Sequence, residues 1–348
     1  MKLNDFPFVS LKGLLMTEKS ATTPLCVDLD GTLIRTDVLQ ESITLYVRRH
    51  LFCVINIIIW FLKGGRAFLK QQLASRVHFE PGTLPYNEKF LEFLESEHRA
   101  GRPLYLVTAS DIKPAKAIAD YLGLFQATYA SDGITNLRSS EKAEKLVDLF
   151  GKKNFVYAGN SRHDLPVWEA AGEAIAVNTP ARILDKLRQS HPTPHIFEEG
   201  LAPKERQLAF YSMSQFLAAL VLFLSSFITG KSFFSYIPDW FLMGFTGSAG
   251  VLLADILNTR ALRLDPGSKA RFLLATGAIP IATAWTHFLA HLILSLLFIP
   301  FISIFFLGGC LILSALLFAC RFYRLYVPEI TFIIYACLTL IRILLGTI

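Results

Sequence analysis

The sequence lacks the residues that would make a secreted or metal-stapled protein. Its five cysteines (Cys26, Cys53, Cys310, Cys320 and Cys337) form no Cys-x-x-Cys pair and no metal-ligand spacing. That excludes a disulfide framework and a zinc site of that kind. Three of them lie in apolar runs, where cysteine serves as a small hydrophobe. The N-terminus offers only Leu-Lys-Gly-Leu-Leu-Met, residues 11–16, as an apolar patch. This is too short for a secretory signal, so the first half is expected in the cytoplasm. Acidic residues thin out after residue 200, to 5 against 10 Lys and Arg, whereas residues 1–200 carry 23 against 24. From Phe272 to Cys320 there is no Asp, Glu, Lys or Arg, and only His287 and His291 can carry charge. An ordinary soluble second half is therefore excluded. The net charge of +6 lies mostly in this oily half. It reads as membrane topology rather than nucleic-acid binding.

What is present divides the chain in two. Its 348 residues suggest about two domains, and 53% hydrophobic with 18% charged residues is too oily for one soluble domain. A short buried strand ending at a turn is read in Pro24–Thr32, and further strand-like runs occur over 102–110, 127–131, 154–160 and 173–178, with helical patterns between, such as 86–101 and 112–125. That alternation predicts an α/β domain with a parallel, Rossmann-like sheet, whose ligands belong at the carboxyl ends of the strands. Polar residues gather there: Asp28 and Asp30 after the first strand, Thr108 and Ser110 after the second, Asn160 and Asp164 after a later one.

These residue types suit phosphoryl transfer. A carboxylate, Asp28, can attack phosphorus and form an aspartyl-phosphate. A second, Asp30, can protonate the leaving oxygen and later activate water. Thr108 and Lys142 can hold phosphoryl oxygens. Magnesium, held by Asp28, Asp30, Asn160 and Asp164, would offset the repulsion between carboxylate and phosphate. Alternatives stay open at single positions. Asp-x-Asp after a strand also makes an Asx-capped turn. Lys145 also fits a cation at a helix start, and Ser110 suits a turn as well as a substrate contact.

The order and spacing of these motifs over residues 24–190 resemble the haloacid dehalogenase (HAD) superfamily. Asp30 points to its phosphatase branch. The resemblance implies a magnesium-dependent hydrolase of a phosphorylated small molecule or a polyprenyl or lipid phosphate. One departure stands out: the fourth motif of that family begins Gly-Asp, and here it reads Gly159-Asn160. An amide oxygen meets magnesium without charge, so weaker metal binding is expected. Residues 36–85 occupy the place of the family's helical cap. Within it Leu51–Leu62 is a 12-residue apolar run flanked by Arg48, Arg49, Lys63 and Arg66. It reads either as the cap's own core or as an interfacial helix on anionic headgroups.

After a tail (1–23) and the HAD-like domain (24–190), residues 191–206 read as an irregular linker, and 207–348 as an all-α membrane domain. Five spans are expected, at about 207–229, 236–257, 273–296, 298–320 and 327–347. The loop with Arg260, Arg263, Lys269 and Arg271, and the pair Arg321 and Arg324, fall on one side with the soluble domain. This predicts a multi-pass protein of the inner (cytoplasmic) membrane with the HAD-like domain in the cytoplasm. Residues 252–280 also resemble the first motif region of UbiA-type prenyltransferases, with one carboxylate of its cluster, Asp255, retained. The resemblance implies that Asp255 would hold metal and that Arg263, Lys269 and Arg271 would hold diphosphate. Three readings result: a membrane-anchored phosphatase; a prenyl or phosphoribosyl transferase completed by a partner chain in an oligomer; and a non-catalytic, decayed fusion.

Overall fold

The computed structural model describes residues 23–49, 53–78, 80–132, 137–198, 237–264, 273–298 and 304–322. The strands are β1 (Leu25–Val27), β2 (Leu104–Asp111), β3 (Ala127–Ser131), β4 (Val156–Gly159), β5 (Glu173–Val177) and β6 (His195–Phe197). The helices are α1 (Val38–Arg49), α2 (Cys53–Ala74), α3 (Glu88–Arg99), α4 (Ile112–Leu122), α5 (Ser140–Phe150), α6 (Leu165–Ala170), α7 (Ala181–Ser190), α8 (Ile237–Leu264), α9 (Ile281–Phe298) and α10 (Ile304–Phe322). They fall into two units. One comprises residues to Leu39, Ile58–Gly82 and Tyr86–Glu199. The other comprises Gln40–Ile57, Thr83–Pro85 and the chain from Gly200.

The first unit is built on a parallel sheet in the order β3-β2-β1-β4-β5-β6. Parallel strands buried on both faces read as continuous apolar runs. β1 meets that condition, since Leu25, Cys26 and Val27 are all fully buried. The core on one face gathers Tyr157, Val167, Trp168, Leu184 and Leu187. Trp168 donates its indole N–H to the carbonyls of Tyr157 (3.2 Å) and Ile175 (3.3 Å), so the large ring is buried without an orphan donor. Asp111 caps α4 by accepting from the Lys113 amide at 3.0 Å, and Gly123 ends that helix in the left-handed region. The stretch 191–206, expected as irregular linker, instead opens with β6. His195 and Phe197 there stack with Phe93, which is why this polar stretch holds an edge strand.

The strand order reverses at β1, whose neighbours β2 and β4 lead to opposite edges. That junction is where a doubly wound sheet opens a crevice at its carboxyl end.

In the second unit, Phe241–Leu264 of α8 is a 24-residue stretch long and apolar enough to cross a membrane. At 1.5 Å per residue it extends about 36 Å, against about 30 Å of hydrocarbon. It is one such helix among the described residues. Ile281–Leu297 and Leu307–Ala319 are shorter apolar stretches. The expected spans at 207–229 and 327–347 lie outside the described residues. Gly250 lets α8 and α10 approach closely: a Cβ there would sit 2.6 Å from the Ser314 carbonyl oxygen. Ser314 Oγ donates to the Thr246 carbonyl (2.8 Å), and Asn258 Nδ2 to the Phe322 carbonyl (2.6 Å).

The same unit takes in most of α1. Arg263 forks onto Glu41, with Nη2–Oε1 at 2.8 Å and Nη1–Oε2 at 3.1 Å. It also donates from Nε to the Ala275 carbonyl at 3.2 Å. Trp285 Nε1 donates to Thr44 Oγ1 at 3.1 Å. Both charged side chains of the pair are almost fully buried.

Candidate active site

The loop after β1 is compact: Leu33 N donates to the carbonyls of Asp28 (3.2 Å) and Leu29 (3.0 Å). Gly31, at φ +78°, turns the chain where an L side chain would be strained. A Cβ there would also collide with the Asn160 amide, so the Asn160 side chain lies directly over this glycine. The first-strand loop and the loop after β4 are thus held together at the switch point.

Asp28 is buried, and its Oδ1 receives Lys142 Nζ at 2.7 Å. Lys142 reaches it from α5, where it shares an inward face with Ala143 and Leu146. Lys145, the alternative cation, is exposed and lies over the Tyr129 ring. Lys142 Nζ also donates to the Tyr157 hydroxyl (2.9 Å), and Tyr157 donates on to Asp164 Oδ1 (2.7 Å). Asp164 Oδ2 accepts from the amides of Asn160 (3.2 Å) and Ser161 (2.9 Å) and from Ser161 Oγ (2.9 Å). Asp30 accepts the Val38 amide at Oδ1 (2.8 Å) and Ser110 Oγ at Oδ2 (2.6 Å). Thr108, fully buried, accepts the Ser110 amide at 3.0 Å. Asp28, Asp30, Thr108, Ser110, Lys142, Asn160 and Asp164 therefore meet at one end of the sheet.

Burial sets the electrostatics. Desolvation raises Asp28 to about 6. Lys142 opposes that rise, and the Asp164 charge adds to it. Desolvation raises Asp30 to about 7, and the neighbouring Asp37 charge adds to it, against the Ser110 hydrogen bond. Burial alone would lower Lys142, but Asp28 and Asp164 outweigh it, and the ammonium is held above its ordinary value. Tyr157 is pushed well up by burial and by the charges of Asp164 and Asp28, so its phenol keeps its proton.

Two residues here escaped the sequence reading. Tyr157 looks like an ordinary core aromatic of β4; the signal is that a buried phenol needs a polar partner. Lys70 sits on α2 and donates from Nζ to the Ala109 carbonyl at 2.8 Å. Burial lowers its pKa, while Asp30 and Asp37 pull the other way. The available signal was the place of Lys70 next to Leu69 and Leu73, the apolar positions that α2 turns inward.

The expected magnesium ligands sort into two groups. Asp164 has Oδ1 engaged by the Tyr157 hydroxyl and Oδ2 by its own loop, and Asp30 has both oxygens engaged by Val38 and Ser110. Asp28, whose carboxyl also accepts the Leu29 amide, and the Asn160 side-chain oxygen remain. Among the described residues no three His, Cys, Asp or Glu side chains converge as a metal cluster. Magnesium usually keeps several waters and takes one or two carboxylates plus substrate phosphate, so this donor set fits it, with a single protein charge. Asp255 belongs to the second unit, buried on α8, and Lys269 and Arg271 lie outside the described residues.

No family model matches the chain. A curated relative from Sinorhizobium fredii, described as "Uncharacterized protein y4nM", is 32% identical over 278 residues, covering 78% of this chain and 52% of that protein. The chain thus spans about half the length of the curated relative it matches. Among solved structures, a protein of unknown function from Bordetella pertussis Tohama I is 16% identical with a TM-score of 0.40, over 51% of this chain and 99% of that one. A substrate-bound phosphoserine phosphatase is 15% identical with a TM-score of 0.35, over 51% and 93%. A haloacid dehalogenase-like hydrolase from Streptococcus pneumoniae is 16% identical with a TM-score of 0.36, over 51% and 95%.

The raised Asp30 gives a stability prediction. A carboxyl whose folded pKa lies above its unfolded value stabilises the fold at low pH and loses that contribution as pH rises through about 4 to about 7. Asp30→Asn removes the penalty, because its amide can still accept from Val38 and donate to Ser110. In chelator, the variant should therefore melt higher than the parent at pH 8. The gap should close by about pH 4. Equal melting curves at pH 8 would contradict this.

Proposed function

We propose that the first unit is a HAD-type phosphomonoester hydrolase working through an aspartyl-phosphate, carried by a membrane-associated chain. The supporting observation is the buried Asp28–Lys142–Tyr157–Asp164 chain beside a second carboxyl, Asp30, which burial raises to about 7.

In this reading Asp28 Oδ2 attacks phosphorus while Lys142 fixes Oδ1. The bond to the leaving oxygen breaks, and Asp30 supplies its proton. Asp30 Oδ1 faces an N–H, which cannot accept a proton. The acidic proton therefore resides on Oδ2, where the Ser110 hydroxyl can rotate from donor to acceptor. Water then attacks the aspartyl-phosphate, Asp30 Oδ2 takes the proton back, and phosphate leaves with Asp28 regenerated. Thr108 and Lys142 hold phosphoryl oxygens. Magnesium, held by Asp28 and Asn160, would supply charge compensation at the phosphoryl oxygens. Asp164 and Tyr157 act on the site by positioning the Asn160 loop and the Lys142 ammonium.

The membrane part of the reading has the inner membrane as its location, the first unit in the cytoplasm and a multi-pass second unit. The apolar α8 supports it, as do the basic residues at its end. A substrate borne on lipid, such as a polyprenyl or lipid phosphate, suits that setting. A transferase role for Asp255 gains no particular support: Arg263, one of its expected diphosphate contacts, is engaged by Glu41.

The test is phosphate release by the full chain in detergent, from p-nitrophenyl phosphate and from polyprenyl phosphate, with and without magnesium. Release that needs magnesium supports the reading, and its absence on every ester would overturn it. Asn160→Asp adds a second charge to the donor pair. It should tighten magnesium by at least about tenfold, read from the metal dependence of release or by calorimetry. Unchanged affinity would remove Asn160 from the metal site.

A further inference from the structure

The first limb of α2 is built the wrong way round for a protein in water. At 100° per residue, Val54, Ile55, Ile58, Ile59, Phe61 and Leu62 fall within an arc of about 160°. All six are exposed: Ile55 by 57%, Ile58 by 53%, Phe61 by 50% and Leu62 by 77%. The opposite arc is the one held to the protein. Asn56 Nδ2 donates to the Tyr46 hydroxyl at 3.1 Å, and the Arg76 guanidinium lies 4.9 Å from the Trp60 ring centre. Val54 and Ile55 belong to the second unit and the other four to the first, where the remaining exposed large apolar side chains described, Tyr121 and Leu149, stand singly, as is normal for a soluble surface.

Charge names the partner. From residue 42 to residue 79 there is no Asp or Glu, while Arg48, Arg49, Lys63, Arg66, Lys70 and Arg76 are all cationic. An apolar stripe between basic flanks fits a sheet of anionic headgroups over hydrocarbon, where each Lys or Arg near the surface adds attraction. A protein partner would need a complementary acidic and apolar groove. In the reading above, a bilayer is also the environment of α8, whose Phe241–Leu264 stretch is long and apolar enough to cross one.

The limb has a built end. Gly64 (φ −157°, ψ 21°) and Gly65 (φ 61°, ψ −156°) break the helix. Gly65 occupies the left-handed region that favours glycine. Beyond the break α2 turns its apolar side inward, burying Leu69 and Leu73, and carries Lys70 to the Ala109 carbonyl beside the site. One helix thus has an outward apolar limb and an inward limb that reaches the carboxylates, joined at two glycines.

We propose that residues 53–62 lie in the interface of an anionic bilayer, apolar arc down, and so hold the mouth of the Asp28 site at the headgroup level. This deepens the membrane-associated reading above and rests on it. An environment-sensitive fluorescent amino acid is placed by stop-codon suppression at Leu62 and, separately, at Tyr121. The full chain is then reconstituted into nanodiscs of phosphatidylcholine alone or mixed with phosphatidylglycerol, with brominated acyl chains as quencher. The expected result is quenching several-fold greater at position 62 than at 121, strongest with phosphatidylglycerol. Lys63→Gln with Arg66→Gln should bring it down toward the phosphatidylcholine level. No excess quenching at 62 in either lipid overturns the proposal. So does a blue-shifted but unquenched probe, which would mean that protein covers the stripe. A chain that stays soluble without detergent and enters no disc overturns the membrane reading itself, a result separate from either of these. None of these readouts depends on phosphatase activity.

Discussion

Asp28→Asn should lower phosphate release from p-nitrophenyl phosphate by at least about a thousandfold, because an amide cannot form the aspartyl-phosphate. The substitution is nearly isosteric, and its amide oxygen can still accept from Lys142 at the place of Oδ1. The fold should survive, because Lys142 keeps the Asp164 carboxylate 3.7 Å away as a counterion. The paired measurements are release rate and melting temperature. Activity retained within tenfold would remove Asp28 as the nucleophile. Lost activity with lost melting would leave only a damaged fold.

Lys142→Met should have the largest effect on stability. Lys142 is buried between two carboxylates, 2.7 Å from Asp28 and 3.7 Å from Asp164. Removing one partner of a buried ion pair typically costs about 3–5 kcal/mol, because the charges left behind have no counterion. A loss of that size takes away a large share of a domain's net stability. Adding Asp28→Asn to Lys142→Met should recover part of it, and the recovery is the diagnostic. A double variant no more stable than Lys142→Met would show that the loss was packing of the methylene stem and not stranded charge.

The sequence carried the sheet well, because parallel strands buried on both faces announce themselves as short apolar runs. It carried Asp28, Asp30, Thr108 and Asn160 for a related reason: each follows such a run, and strand ends in one sheet are neighbours. Lys142 could be named only alongside Lys145, since residues three apart on a helix point only about 60° away from each other and packing decides which turns inward. Tyr157 was invisible because its ring does core duty while its hydroxyl joins the polar chain. The commitment of both Asp164 oxygens to local donors was equally hidden: it depends on loop geometry that spacing does not encode. The outward set of the 53–62 stripe was open between two readings. Hydrophobicity tells that a face wants to leave water, and says nothing of what it leaves water for.

The pairing of Glu41 with Arg263 bears on how this protein can be taken apart. The two residues stand 222 positions apart, yet they belong to one unit, as do Thr44 and Trp285. The halves of this chain are interleaved rather than modular. A truncation after residue 199 would strip Glu41 of its counterion and Thr44 of the Trp285 indole. Swapping the helical half for that of another protein would do the same. Recombination at the apparent domain boundary is therefore not a neutral event for this fold, and any lineage that exchanged its C-terminal helices would have had to change α1 along with them.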